Sequence, residues 1–148
     1  MNLERLEKQL IADEGVKYVI YLDHLGYATL GIGHRVVRED KEYWEPLGTP
    51  VSKERVTELF RQDVGIAVGD CEALYSPGYS SWSPEVHEIL VNMMFNMGRT
   101  RMRKFKKMKE ALLDQNWKKA AKEGRNSKWY RQVPNRAERL MSRLENVS

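Results

Sequence analysis

The sequence predicts an α+β fold, mainly helical, with a small β-sheet near the N-terminus and a larger helical region after it. Three observations carry this. Apolar residues recur at helical spacing in most segments, only residues 19–34 carry β-branched and aromatic residues with turn chemistry, and residues 86–97 are nearly all apolar.

In chain order, Leu3, Leu6, Leu10 and Ile11 stand among charged residues at spacings that define an amphipathic helix ending near Gly15. From Val19 to His34 the pattern becomes that of a hairpin or small meander, with turn chemistry over 23–26 and alternation through Tyr27, Ala28, Thr29 and Leu30. Gly31 and Gly33 weaken a strand and mark a bulge, or a place where another group approaches the backbone closely; a sugar chain would qualify. Residues 35–51, with Pro46, Gly48 and Pro50, read as an irregular connection with room for one short strand.

Ser52 is a helix cap for the run Val56, Leu59, Phe60, Val64, Ala67 and Val68, a helix long enough to join two lobes. A loop over 75–82 leads into Ser83-Pro84-Glu85: a cap, a proline at the first helical position and an acid in the first turn. The helix that follows, apolar on more than one face and stopping before Gly98, is the expected core of the larger lobe. Shorter helices are expected near 102–113, 117–122, 128–132 and 135–145. The expected organisation is one domain over 1–148, its β-containing lobe at about 12–60 and its helical lobe formed by 1–11 and 61–148.

Composition narrows the function. At 148 residues and 41% hydrophobic content, the chain buries a core without staples. Cys71 is its only cysteine, which excludes an intramolecular disulfide and fits a small buried apolar residue. No apolar run approaches the ~20 residues that span a bilayer, and the first residues lack a secretion signal's apolar core. The expectation is a soluble protein without its own export route. Net charge is +4, and seven of the eleven residues from Arg99 to Lys109 are Arg or Lys. Such a run is most often a solvated helix face, but it also suits an anionic partner such as a cell wall, a lipopolysaccharide surface or nucleic acid. His24 and His87 have no metal-ligand neighbours and no glycine loop cradles phosphate, so neither metal nor cofactor is expected. Trp82, Trp117 and Trp129 read as core or cleft-edge packing.

Glycoside hydrolysis uses two carboxyl groups across the scissile bond, one protonated and one ionised. Glu14, at a helix end, and Asp23, in the following hairpin turn, are suitable, though 21 acidic residues offer many pairs and an aspartate in a turn is ordinarily a turn residue. The surrounding residues distinguish this pair. Asp13-Glu14-Gly15, Tyr21, Asp23 and the run Gly26-Tyr27-Ala28-Thr29-Leu30-Gly31-Ile32-Gly33-His34 closely resemble the lysozymes of T-even-type bacteriophages and their endolysin relatives. Gln62-Asp63-Val64, Phe95-Asn96-Met97-Gly98 and the run from Ser127 to Arg136 resemble that family's later motifs, in the same order.

The resemblance implies a lysozyme-like fold and cleavage of the β-1,4 bond between N-acetylmuramic acid and N-acetylglucosamine in peptidoglycan. It makes Glu14 the general acid, Asp23 the group that stabilises the oxocarbenium-like centre or activates water, and Thr29 the residue that positions that water. It implies an inverting outcome, for which the carboxyl groups stand about 6.5–9.5 Å apart. Phe95, Asn96 and Gly31 match substrate contacts, and Arg35, where relatives carry an aliphatic residue, is a further candidate. His34 and Asp63 match a structural ion pair. Arg136 is placed close to Glu14, where a cation favours the ionised carboxylate. The implied setting is a monomeric endolysin that waits in the host cytoplasm until a holin opens the inner membrane and then reaches the periplasm and wall. Residues 35–51 and the tail beyond Arg136 are shorter than in the family's best-known member, which bears on cleft width. The rival readings are a peptidoglycan-binding module without catalysis, a nucleic-acid-binding helical protein, which lacks any motif, and a tail-associated lysozyme acting at entry.

Overall fold

The computed structural model describes residues 1–148 and contains eight α-helices and one three-stranded antiparallel sheet. The chain divides into two compact units, Glu4–Gly65 and Met1–Leu3 with Ile66–Ser148. From Glu4 onward the first helix falls in the same unit as the sheet.

In the smaller unit, α1 (Leu3–Glu14) buries Leu6 and Leu10 and leaves its charged residues outside. Strands β1 (Lys17–Leu22), β2 (Ala28–Gly31) and β3 (His34–Arg35) follow in sheet order β1-β2-β3. Tyr21 pairs with Thr29 and Leu22 with Ala28, and the register is irregular between Lys17 and Tyr21. Leu30 pairs with His34. The connection over 35–51 is not featureless: it holds a 3-10 turn at Lys41–Trp44 and an isolated bridge from Pro50 to Val19. The turn is anchored by Glu42, whose buried carboxylate takes both a 2.8 Å and a 2.9 Å hydrogen bond from the Arg55 guanidinium.

Helix α2 (Lys53–Leu74) starts where Ser52 Oγ accepts a 3.1 Å bond from the Arg55 N–H. The division between the units falls within it. Its Cys71 is fully buried, and burial pushes the thiol up to about 12.

In the larger unit, α3 (Pro84–Met97) is capped by Ser83, whose Oγ accepts from the Val86 N–H at 3.4 Å. Nine of its residues are buried, which makes it the core helix that its apolar pattern predicts. The single helix expected over 102–113 is two, α4 (Arg99–Met102) and α5 (Lys106–Leu113). The intervening residues turn through 3-10-type bonds from Lys104 N to Arg101 O and from Phe105 N to Met102 O. Helices α6 (Trp117–Arg125), α7 (Lys128–Gln132) and α8 (Pro134–Glu145) complete the unit. Arg125 joins α6 to α8 through ion pairs with Glu138 at 2.9 Å and Glu145 at 2.8 Å. Trp82 and Trp129 are buried, and Trp82 meets Trp117 edge to face at 5.6 Å. No helix is long and apolar enough to cross a membrane.

Candidate active site

Asp23 begins the β1–β2 turn. Its Oδ1 accepts from the backbone N–H groups of Leu25 at 2.9 Å and Tyr27 at 2.8 Å, an arrangement that only a short acceptor side chain supports. The Tyr27 N–H, outweighing partial desolvation and assisted by the Leu25 N–H and the charges of His24 and Arg35, holds this carboxyl below its ordinary range. Asp23 is thus fixed and ionised, with both bonds on one oxygen and Oδ2 taking none.

Thr29 lies across the ladder from Tyr21 and is buried. Its hydroxyl donates to the Tyr27 carbonyl at 2.8 Å. With its proton committed, Oγ1 meets any water as an acceptor.

Glu14 ends α1, and its carboxyl is located by Gly33. A Cβ built on Gly33 would lie 3.0 Å from Glu14 Oε2 and 3.4 Å from its Cδ, and Gly33 has φ +63°. Only glycine combines that backbone with that clearance. Burial raises the Tyr21 phenol pKa, and the charges of Asp23 and then Glu14 raise it further. Glu14 at the end of α1, and Asp23 and Thr29 on the β1–β2 hairpin, thus belong to the same compact unit, with Thr29 opposite Tyr21 in the ladder.

The other candidates distribute as follows. At Gly31, φ +58°, the neighbour that excludes a side chain is Val56 of α2, 2.9 Å from a built Cβ, so helix packing is the close approach there. Arg35 is exposed, with its guanidinium 3.7 Å from the Tyr27 ring centroid, and its charge bears on Asp23. His34 is buried with Nδ1 2.7 Å from Asp63 Oδ2, and its Nε2 lies 2.7 Å from Asp40 Oδ2. Burial opposes the imidazolium, but the hydrogen bonds and charges of Asp63 and Asp40 outweigh it and raise the His34 pKa. Asp40 is the partner that spacing did not reveal, because it sits in the connection without periodicity.

In the larger unit, Phe95 and Asn96 are both half-buried on α3, and Asn96 Oδ1 accepts the Trp129 indole N–H at 2.9 Å. Arg136 is buried and its Nε donates to Asn92 Oδ1 at 2.9 Å. No group of three or more His, Cys, Asp or Glu side chains is arranged to hold a metal ion.

A mainly helical α+β chain that carries one carboxyl group at the end of its first helix, and a second with a threonine on the hairpin that follows, has the groups a glycoside hydrolase uses. The family model described as phage lysozyme matches residues 12–146, and the chain belongs to that family. It is 31% identical to "Probable T4-type lysozyme 1" of Dictyostelium discoideum, over 95% of this chain and 93% of that one. It is 30% identical to "Pre-baseplate central spike protein Gp5" of Enterobacteria phage T4, over 91% of this chain but 26% of the relative. It is 32% identical to "Peptidoglycan hydrolase gp36" of Pseudomonas phage phiKMV, over 93% of this chain and 15% of the relative.

Proposed function

We propose that this glycoside hydrolase cleaves the β-1,4 bond between N-acetylmuramic acid and N-acetylglucosamine in bacterial peptidoglycan, with inversion. Glu14 donates its proton to the leaving glycosidic oxygen. Water, donating one hydrogen bond to Thr29 Oγ1, attacks the opposite face of the sugar and gives up its proton to Asp23. The observation that carries this reading is the fixed geometry of the three groups: Gly33 clears space for the Glu14 carboxyl, and backbone hydrogen bonds hold Asp23 and Thr29. Asp23 suits the ionised role because two backbone N–H groups stabilise its charge. Thr29 suits the positioning role because its hydroxyl cannot rotate to compete as a donor without losing the Tyr27 carbonyl.

Purified protein and Glu14→Gln are compared on walls of outer-membrane-permeabilised Gram-negative cells, with soluble fragments identified by mass and the first-formed anomer by NMR. The expected result is release of cut glycan strands with an inverted anomer by the parent, and a rate at least about 100-fold lower for the folded variant. Equal rates would remove Glu14 from the acid role, and release by neither would leave a binding module.

We propose also that the enzyme acts as a monomeric endolysin, held in the host cytoplasm until a holin admits it to the periplasm. Support comes from the match of the phage lysozyme family model to residues 12–146. Expression inside a Gram-negative host should give lysis only when a holin is co-expressed; lysis without one sinks the proposal.

A further inference from the structure

The larger unit holds a pocket of about 670 Å³ built by α4, α5, α6, α7 and the turn between α4 and α5. We propose that this pocket is a second binding site, for a phosphate-bearing saccharide of the bacterial envelope.

Five cations line it, Arg101, Lys104, Lys106, Lys107 and Lys128, against a single carboxylate, Glu123. All five are exposed and none forms an ion pair. Three other arginines of the unit are neutralised by carboxylates: Arg99 by Asp70, Arg125 by Glu138 and Glu145, and Arg143 by Glu85. Arg101 instead donates to the Gln132 amide oxygen at 2.7 Å, which orients its guanidinium without neutralising it. Lys106 and Lys107 open α5, the helix end where the backbone dipole disfavours a cation, and no acidic side chain stands in that turn to offset it. An anion seated here relieves both the mutual repulsion of the lysines and the uncapped helix end. Like charges concentrated in a concave site also raise the local concentration of an anionic ligand.

The floor selects among anions. Trp129 and Met108 are almost fully buried beneath it, and Phe105, edge to face with Trp129 at 6.4 Å, is the one half-exposed aromatic ring of the lining. A strand of bases is held by a succession of aromatic platforms, which this pocket lacks. A flat membrane would touch the rim and leave the concavity empty. One ring face under a cationic rim, in a volume within the range of about 300–1,000 Å³ typical of small-ligand sites, fits a short saccharide carrying phosphate. The site lies wholly within the larger unit, and binding is read without turnover, so it stands or falls apart from the cleavage reaction.

The test is calorimetric titration at low ionic strength with mannopentaose phosphate, unphosphorylated mannopentaose and a ten-residue oligothymidylate. The ligands are offered to the parent, to the triple variant Lys104→Gln, Lys107→Gln and Lys128→Gln, and to a control triple at Lys118, Lys119 and Lys122 of α6. The phosphorylated sugar should bind the parent at least about tenfold tighter than the neutral one and lose at least about tenfold in the first triple, on the order of 1.4 kcal/mol each. The control triple should stay within about twofold. The proposal is overturned if the neutral sugar binds equally, if the first triple binds as the parent does, or if the oligothymidylate binds more tightly through the same lysines.

Discussion

The β1–β2 hairpin and helix α3 solve opposite problems. Helix α3 is anchored by burial: Val86, Ile89, Leu90, Val91 and Met93 are completely removed from solvent, and Ser83 and Pro84 fix its start. The hairpin is anchored by polar geometry. Asp23 is half-buried and held by two backbone N–H groups, Thr29 by one carbonyl, and Gly31 and Gly33 adopt positive φ to let Val56 and Glu14 approach. Stability is thus concentrated where no chemistry is expected, while the candidate site rests on a few directional contacts, each of which positions a particular oxygen.

That division makes the two regions separable by mutation. The largest expected effect is on α3: Leu90→Ala should lower unfolding free energy by about 2–5 kcal/mol and leave wall-clearing activity at low temperature close to that of the parent. Chemical denaturation and a rate assay on one preparation check it; a comparable loss of rate would mean that the core and the site are coupled. Next is His34, which belongs to the hairpin unit but is buried like a core residue. Its pKa is raised in the folded state, so its contribution is fully present below its unfolded pKa of about 6.5 and is lost as pH rises through the folded value. His34→Gln should therefore cost about 3 kcal/mol at pH 5.5 and distinctly less at pH 9. A penalty independent of pH would show that the ring acts through packing and not through its charge.

These differences also explain what was legible in the sequence. Helix α3 was readable because its pattern is dense, and Ser83-Pro84-Glu85 specifies its start by local chemistry alone. Glu14, Asp23 and Thr29 stood out only jointly, through the family motif, since each taken singly is an ordinary helix end, turn or strand residue. Asp40 and the anchoring of Glu42 by Arg55 were not legible, because both depend on contacts from an aperiodic connection to residues distant in sequence. The break between α4 and α5 was missed for a related reason: Arg103, Lys104 and Phe105 carry no glycine or proline, and the turn is made by backbone bonds that composition does not announce. The positive φ at Gly31 marks a close approach, and the group that a Cβ there would meet is Val56.

Gly33 offers the sharpest separation of the two regions. An alanine there must accept φ +63°, at a cost of about 1–2 kcal/mol, and its methyl would stand 3.0 Å from Glu14 Oε2. The Glu14 carboxyl is the end of a flexible side chain, so it gives way readily, and the fold loses little beyond the backbone strain. What it loses is position. A displaced acid no longer meets the glycosidic oxygen, and a misplacement on the order of 1 Å costs roughly 100-fold in rate. Gly33→Ala should therefore remain folded, with a melting temperature only modestly lowered, and fall about 100-fold in kcat. The smallest effect is expected at the start of α3, where Ser83→Ala removes one capping bond, about 1 kcal/mol of stability, with no change in kcat. If Gly33→Ala instead loses stability and keeps its rate, Glu14 tolerates displacement, and the acid role assigned to it fails along with the contrast between a rigid core and a geometrically tuned hairpin.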